Sequence, residues 1–313
     1  MTTAGALRGR RKICRMFLRG WSPSPPHPLD IPPQKSDIKS MQNKINYRVL
    51  NVTVFNDTAE RCRTNARLRE SIAQSRRAQK FTGEREGVAI ESRNIHAERA
   101  KVIVSQKRTF EAAQAYAGTR VAVLNFASAS NPGGGVTTGA GAQEECLCRC
   151  STLYSCLTDQ KMWELFYEPH RRNRTALHTD DCIYTPGVTV FKTDVSAPEL
   201  LGETDWYNVD VITCAAPNLR YGDVSITDEA LRQLHIKRLR RILDIAILNK
   251  VENIVLGAFG CGAFMNDPKV VAAANAEVIK DYLFAFKTIE FAVFCRPGYE
   301  QNYREFRNYL GSE

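Results

Sequence analysis

The sequence lacks the patterns that would place it in several common protein classes. Its apolar runs all fall short of the about eighteen residues that a membrane-spanning helix needs, so we expect no membrane partner. It contains neither G-x-G-x-x-G nor the lysine-bearing Walker pattern, which excludes the two commonest phosphate loops. Its five histidines show no metal-ligand spacing, and no serine, histidine and aspartate suggest a catalytic triad. We therefore expect neither a metal nor a cofactor.

The ten cysteines lack the spacing of a disulfide framework or of a C-x-x-C zinc knuckle. Cys146, Cys148, Cys150 and Cys156 do cluster, but thiols at alternate positions of a helix fan out around it instead of facing one metal ion. Buried, reduced thiols are the favoured interpretation, and they suit a cytoplasmic protein.

The net charge of +9 is unevenly distributed. Residues 1–40 contain eight basic and two acidic residues, so the rest of the chain is nearly balanced and we expect no direct contact with nucleic acid. Six prolines fall between residues 21 and 33, and they favour an extended, disordered extension. Residues 1–20 are rich in arginine and free of acids, so targeting to an organelle stays open beside a cytoplasmic location. An upstream start codon mistaken for the true one is a further alternative.

Strands alternate with helices over most of the remaining sequence. The predicted strands are residues 101–105, 121–124, 182–184, 188–191, 209–214, 253–256 and 289–295. The predicted helices are residues 56–80, 106–116, 143–154, 162–167, 228–249, 268–286 and 299–310, with a polar loop at 168–179. The residues expected on the solvated face of helix 228–249 are Arg232, Lys237, Arg238, Arg240 and Arg241. This order predicts an α/β fold with a mostly parallel or mixed sheet and helices on both faces.

The stretch 121–155 carries the strongest functional signal. It begins with a buried strand, passes through a polar turn and three consecutive glycines, and reaches Gln-Glu-Glu at the start of a predicted helix. A strand end, a glycine loop and a helix N-terminus form a site for phosphate, with a carboxyl group within reach of an adjoining sugar. A flexible loop before an ordinary helix is the simpler alternative. The residues in question are Gly133, Gly134, Gly135, Gln143, Glu144 and Glu145.

A second glycine loop, residues 257–264, also follows a predicted strand. Ligands of α/β sheets bind at the carboxyl ends of strands, so both loops are expected to face one cleft. Their backbone N–H groups would hold a diphosphate from two sides without lysine or metal. The candidates on the second loop are Gly257, Gly260, Cys261, Gly262, Ala263 and Phe264.

The run N-F-A-S-A-S-N-P-G-G-G followed by Q-E-E resembles the bacterial-type poly(ADP-ribose) glycohydrolases, a branch of the macrodomain superfamily. Residues 256–268 resemble that family's second phosphate loop, and the resemblance extends from about residue 47 to the C-terminus. It implies a macrodomain-like three-layer α/β/α sandwich with a mixed sheet. Residues 41–313 would form a single catalytic domain, with 41–100 as its N-terminal helical extension. The implied ligands are poly(ADP-ribose) or ADP-ribose, with ADP-ribosylated proteins as further partners.

The resemblance also implies individual roles. Glu145 matches the family's catalytic glutamate, which would protonate the departing 2′-oxygen and then deprotonate the attacking water. Glu144 would hydrogen-bond the distal ribose, and Gln143 would support the loop. Adjacent residues at a helix start point about 100° apart, so an acid and nucleophile pair is disfavoured. We expect one glutamate to act while substrate phosphate stabilises the positive charge.

Several assignments keep alternatives. Phe264 matches a family phenylalanine that packs against the distal ribose, and core packing is an equal alternative. Asn125, at a strand end, is expected to contact adenine or ribose, whereas Asn131 precedes Pro132 and more simply forms a turn. Cys261 either makes activity redox-sensitive or fills space. The glycine loops also fit a reader that binds ADP-ribose without hydrolysis, or a mono-ADP-ribosyl hydrolase, but the Gln-Glu-Glu triplet favours the glycohydrolase.

Overall fold

The computed structural model describes residues 46–220, 222 and 224–311. Within this part the strands are β1 (Lys80–Thr82), β2 (Lys101–Ser105), β3 (Val121–Phe126), β4 (Cys182–Val190), β5 (Tyr207–Cys214), β6 (Asn253–Leu256) and β7 (Thr288–Ala292). They form a seven-stranded sheet in the order β1-β4-β5-β3-β6-β7-β2. The five strands from β5 to β2 are parallel, and β4 runs antiparallel to both β5 and β1. The predicted mixed sheet is therefore confirmed.

The α-helices of the described residues fall between and around these strands. They are α1 (Tyr47–Thr64), α2 (Ala66–Ala78), α3 (Thr109–Ala113), α4 (Gln143–Cys150), α5 (Leu153–Leu157), α6 (Gln160–Met162), α7 (Glu168–Asn173), α8 (Asp228–Leu248), α9 (Pro268–Val278) and α10 (Gln301–Leu310). A π-helical segment, Trp163–Tyr167, joins α6 to α7. Short 3-10 turns lie at Gln114–Tyr116, Val136–Thr138, Glu203–Asp205 and Ile279–Tyr282.

Two apolar clusters cover the two faces of the sheet. Leu124 and Ile212 point to one face, where they pack with residues of α8, α9 and α10. Val123 and Val211, one position earlier on the same strands, point to the other face and pack with α3, α4 and α5. Successive side chains of a strand alternate between faces, so a sheet covered on both sides needs apolar residues at every position. The expected three-layer arrangement is confirmed.

The N-terminal helices differ from the prediction of one helix over residues 56–80. Asn46 caps α1 by accepting the N–H groups of Arg48 and Val49, and Asn65 caps α2 by accepting that of Leu68. Thr58, expected at a helix start, lies inside α1 and donates to the carbonyl oxygens of Val54 and Arg149. Several short polar residues here can cap a helix, and the sequence does not show which of them packs inward.

Helix α1 is attached to the loop between the glycine triplet and α4. The side chain of Asn51 donates to the carbonyl oxygen of Gly139 at 3.1 Å, and that of Arg48 donates to Thr138 at 2.9 Å. Gly139 has a φ of 79°, and a Cβ there would overlap the backbone of Arg48. Only glycine allows this close approach.

Tertiary hydrogen bonds end several predicted elements early. Helix 143–154 breaks at Ser151, which pairs with Val190 as an extended residue, so α4 and α5 are separate. The predicted turn at Pro186 and Gly187 is a bulge within one strand, β4, because the carboxylate of Asp210 accepts the Gly187 N–H at 2.9 Å. Half of the predicted loop at 168–179 is α7. Strand β1 was not predicted, β3 and β5 are longer than predicted, and most of the predicted helix 162–167 is the π-helical segment. The other differences are shorter ends in α3, α9, α10 and β7.

The prediction that Arg238 lies on a solvated helix face is wrong. Its side chain is 1% exposed and donates to Asp180 at 2.8 Å and to the carbonyl oxygens of Leu177, His178 and Ala215. Four acceptors offset the cost of burying the guanidinium. One arginine thus ties α8 to the loop before β4 and to the end of β5.

The described residues form a compact unit that begins at Asn46. The predicted disordered extension, residues 1–40, lies outside the described residues. Among those that are described, no helix is both long enough and apolar enough to cross a membrane.

Candidate active site

A cavity of about 560 Å³ opens at the carboxyl ends of β3, β6 and β7. Its size falls within the range of small-molecule sites. Both glycine loops and the start of α4 contribute to its walls, as the rule for α/β sheets predicts. The predicted residues that line it are Gly134, Gln143, Glu144, Glu145, Gly260, Gly262, Ala263 and Phe264.

Gln143 fixes the start of α4 against the sheet. Its side-chain oxygen accepts the N–H of Phe126 at 2.9 Å, and its nitrogen donates to the carbonyl oxygen of Leu124 at 2.8 Å and to Thr109 at 3.1 Å. All hydrogen-bonding positions of the amide group point to β3 or α3. Gln143 therefore supports the start of α4 through β3 and α3, and its hydrogen bonds do not reach the glycine triplet.

Glu145 is 7% exposed and has one oxygen free. Its Oε1 accepts the N–H of Gly135 at 2.8 Å, whereas Oε2 has no hydrogen-bond partner among the described residues. A buried polar atom without a partner is costly, and such atoms concentrate at functional sites. Oε2 is therefore buried with its hydrogen-bonding capacity unused, on a side chain that lines the cavity.

Glu144 is held at both oxygens. Oε2 accepts the N–H of Ser128 at 2.8 Å, and Oε1 accepts the side-chain N–H of Asn125 at 3.3 Å. Burial raises the pKa of Glu144 to about 8, and the adjacent charge of Glu145 adds to the rise. The carboxyl group of Glu144 is therefore mostly protonated at neutral pH.

The two carboxyl groups converge instead of pointing apart. A Cβ built on Gly134 would lie 2.5 Å from Oε1 of Glu145 and 3.0 Å from Oε2 of Glu144. The expectation that the two side chains point about 100° apart is therefore wrong. Backbone N–H groups of the preceding loop hydrogen-bond both flexible carboxyl groups and bring them close to Gly134. Gly134 has a φ of 60°, and the absence of a side chain leaves room for both carboxyl groups.

The N–H groups of the glycine triplet are already engaged, contrary to the prediction that they cradle phosphate. Gly134 donates to the carbonyl oxygen of Asn131 at 2.9 Å, and Gly135 donates to Glu145. The N–H of Gly133 faces Glu144 and opposes the rise in its pKa. Of the three glycines only Gly134 lines the cavity. The triplet holds the carboxyl groups, and the short sequence pattern does not distinguish this use from phosphate binding.

The second loop does leave N–H groups free. The backbone N–H groups of Gly260, Gly262 and Ala263 have no acceptor among the described residues, and all three residues line the cavity. By contrast, Cys261 donates its N–H to Ala258 and packs its side chain against the core, where burial raises the pKa of its thiol. Gly257 lies against the backbone of Ala292, where a Cβ would overlap. Neither Cys261 nor Gly257 lines the cavity.

The two asparagines lie outside the cavity. Asn125 is fully buried beneath Glu144 and also donates to Thr213 at 3.2 Å, so the expected contact with adenine or ribose is wrong for this geometry. The prediction relied on its position at the end of β3. That strand is central in the sheet and its end is covered by α4, so the side chain is buried. Asn131 forms the expected turn and accepts a hydrogen bond from Arg171 at 2.6 Å.

Phe264 lines the cavity with a histidine behind it. Its ring centroid lies 5.8 Å from that of His178. Nδ1 of His178 donates to the carbonyl oxygen of Ala216 at 2.7 Å, and burial lowers the pKa of His178 to about 4. A neutral ring at a fixed angle therefore supports Phe264.

Sequence reasoning missed part of the cavity lining. Arg108, Phe294 and Tyr299 line it, and the Arg108 guanidinium lies 4.0 Å from the centroid of the Phe294 ring. Phe294 follows β7, which ends at Ala292 and not at residue 295 as predicted. With the correct end, the rule that ligands bind at the carboxyl ends of strands would have indicated Phe294. Arg108 precedes α3 and carries no local signal.

The cysteine cluster is part of the core. All nine cysteines of the described residues are free thiols. Burial raises the pKa of Cys148 and of Cys150 well above the ordinary range, so both thiols stay protonated. Within the same residues, no three His, Cys, Asp or Glu side chains are grouped so as to hold a metal ion.

The cavity can therefore hold an elongated anion. The unpaired N–H groups of the second loop would take phosphate, and the buried carboxyl pair would act on an adjoining sugar. The exposed ring of Phe294 in the cavity wall offers a stacking surface.

Comparisons with known proteins agree with this chemistry. A family model described as the catalytic domain of microbial-type PARG matches residues 50–193. A solved poly(ADP-ribose) glycohydrolase (PARG) from Thermomonospora curvata is 31% identical, covers 84% of this chain and 100% of its own, and has a TM-score of 0.76. The same protein bound to the inhibitor ADP-HPD is 32% identical, with coverages of 83% and 99% and a TM-score of 0.72. The glycohydrolase from Deinococcus radiodurans in complex with ADP-ribose is 35% identical, with coverages of 77% and 97% and a TM-score of 0.67. No curated protein matches the chain.

Proposed function

Because the chain belongs to the microbial-type poly(ADP-ribose) glycohydrolases, we propose that Glu145 is the group that acts on the ribose–ribose bond. The chain is a glycoside hydrolase that releases ADP-ribose from poly(ADP-ribose). The observation that supports Glu145 is its asymmetry: Gly135 holds one oxygen, and the other is buried without a hydrogen-bond partner among the described residues. General acid–base catalysis needs a carboxyl group that is fixed in place yet free at one oxygen.

In the proposed reaction, Glu145 acts after it has taken up a proton. It gives that proton to the 2′-oxygen of the departing ribose as the glycosidic bond breaks. A water molecule then attacks the positively charged anomeric carbon and returns a proton to Glu145. Ordinary glycosidases use a second carboxylate, separated from the first by about 5 Å or more. Here the neighbouring Glu144 is mostly protonated at neutral pH, so substrate phosphate is left to stabilise the positive charge.

Glu144 is proposed to bind the distal ribose. A protonated carboxyl group can donate one hydrogen bond and accept others, which suits a sugar hydroxyl. Asn125 and Ser128 hold it in place from the sheet side. The diphosphate would lie on the free N–H groups of Gly260, Gly262 and Ala263, and Phe264 would pack on the ribose with His178 behind it.

We also propose that the protein works in the cytoplasm on poly(ADP-ribose) carried by modified proteins. Its nine described thiols are all unpaired, and a reducing compartment keeps thiols in that state.

Glu145→Gln tests the assignment directly. Glutamine keeps the oxygen that accepts from Gly135 but cannot transfer a proton. We expect ADP-ribose release from purified polymer to fall by about 10²–10⁴-fold. Binding of ADP-ribose, measured by calorimetry, should change by less than about threefold. Glu98→Gln, at an exposed position outside the cavity, should match wild type.

Unchanged turnover in Glu145→Gln would show that another group transfers the proton. A wild-type protein that binds ADP-ribose but releases none from the polymer would support the reader alternative instead.

A further inference from the structure

An arginine is fixed on the outer side of the first loop, beside the carboxyl pair. Nε of Arg171 donates to the carbonyl oxygen of Ser130 at 2.8 Å, and Nη2 donates to Asn131 at 2.6 Å. Its guanidinium lies 4.8 Å from the centroid of the Trp163 ring. Ser128, two residues before Ser130, holds Glu144 through its N–H. Helix α7 is therefore attached to the same short loop that positions the carboxyl group.

The end of α7 is strongly basic. Residues 168–174 contain three arginines against one carboxylate, Glu168, which pairs with Arg172 at 2.6 Å. Arg174 closes the helix in the left-handed conformation, with a φ of 50°, and its exposed side chain has no partner among the described residues. A cluster of one charge sign beside a cleft attracts a substrate of the opposite sign.

An exposed apolar side chain stands on the neighbouring loop. Met265 is 65% exposed and has a φ of 60°, which an unbranched side chain adopts only at a cost in free energy. Strained, exposed residues tend to occur where the strain serves binding. Met265 directly follows Phe264 at the cavity wall.

Two hydrogen bonds join this loop to the chain after α7. The N–H of Leu219 donates to Phe264 at 2.9 Å, and that of Asn218 donates to Ala176 at 2.7 Å. Met265 therefore lies on a loop joined to the chain just after α7, and Arg171 joins α7 to the first loop. These residues do not line the cavity themselves but flank, from outside, the two loops that wall it. We call this surface the arginine–methionine rim; it consists of Arg171, Arg172, Arg174 and Met265.

We propose that the arginine–methionine rim binds the next ADP-ribose unit of the polymer, the unit that departs when the bond is cut. This inference rests on the proposed function, because it takes the scissile bond to lie at Glu145. Each further unit carries a diphosphate and an adenine ring. Arg172 and Arg174 pair with the phosphates, and the thioether of Met265 packs on the face of the base.

The double variant Arg172→Gln/Arg174→Gln tests the charged half of the rim. We expect kcat/KM on polymer to fall roughly three- to tenfold at low ionic strength, and the loss to shrink toward twofold at high salt as phosphate contacts are screened. The Kd for free ADP-ribose should stay unchanged, since the product lies inside the cavity. The matched control is Arg69→Gln/Arg77→Gln, which removes the same charge from the exposed face of α2.

Met265→Gly tests the apolar half. Glycine relieves the left-handed backbone, so the variant should unfold at the same or a higher temperature than wild type. At the same time we expect the KM for polymer to rise about threefold with kcat nearly unchanged. A purely structural role for Met265 cannot raise stability and weaken polymer binding together.

Equal kcat/KM for both double variants at low salt would overturn the inference, as would loss of ADP-ribose affinity in step with polymer turnover. These outcomes are distinct from failure of the proposed function, in which the wild-type protein itself releases no ADP-ribose.

Discussion

Adding a single methyl group at Gly134 should disable the site while leaving the fold intact. In Gly134→Ala the new Cβ would lie 2.5 Å from Oε1 of Glu145 and 3.0 Å from Oε2 of Glu144. To restore a close contact of about 3.3 Å, the Glu145 carboxyl group must move by roughly 0.8 Å. That movement breaks its hydrogen bond with Gly135, and a displacement of about 1 Å at a reacting group can cost ~10²-fold in rate.

The matched control is Gly118→Ala. Gly118 also has a positive φ, 87°, but a Cβ there meets no atom within 4 Å. Both variants should lose about 1–2 kcal/mol from the free energy of unfolding, because alanine is strained in the left-handed region. For a protein of this size that is a fall in Tm of roughly 2–4 °C per kcal/mol.

The assays are ADP-ribose release from purified polymer and thermal unfolding. We expect Gly118→Ala to retain wild-type turnover, and Gly134→Ala to lose about 10²-fold at a similar Tm. If Gly134→Ala turned over polymer within threefold of wild type, the idea that Gly134 makes room for the carboxyl groups would be wrong.

Two further predictions concern buried charge. Arg238→Met leaves Asp180 with only Lys237, at 2.6 Å, as an ion-pair partner. We expect it to lower the free energy of unfolding, measured in urea, by roughly 3 kcal/mol. Arg240→Met removes an exposed pair with Asp281 and should lower it by less than about 1 kcal/mol. The pKa of Glu144 is about 8 in the folded protein and 4.5 ordinarily, so its contribution to stability is full below pH 4.5 and is lost as pH rises to 8. Glu144→Gln cannot ionise, so its free energy of unfolding does not fall with pH in this way. Measured in urea, its advantage over wild type should grow by roughly a few kcal/mol between about pH 5 and pH 9. A difference in unfolding free energy that stays constant with pH would contradict the raised pKa.

Local sequence patterns predicted the elements that build the site. The apolar run of β3, the glycine triplet and the start of α4 each carry a strong local signal, and the structure has them in that order. The rule that ligands bind at the carboxyl ends of strands then correctly predicted that both loops face one cavity, although the strand order was not known.

The errors concern hydrogen-bond partners that the local sequence pattern does not reveal. The helical pattern predicts Arg238 on the surface, because its partner Asp180 is 58 positions away in the sequence. The glycine triplet predicts a phosphate-binding loop, because the sequence does not show that the carboxyl groups of Glu144 and Glu145 pack against it. In both cases burial and hydrogen bonding were decided by tertiary contacts, and a helical or glycine pattern carries no information about those.

The attachment of α1 to the loop before α4 decides how far this chain can be shortened. A fragment that begins at β1 would keep all seven strands and both carboxyl groups of the site, Glu144 and Glu145. It would nevertheless lose the Asn51 side chain that holds Gly139, and with it the support of the loop that leads into Glu144 and Glu145. We therefore expect an active fragment to keep α1 with its cap, Asn46, although that helix contributes no residue to the cavity.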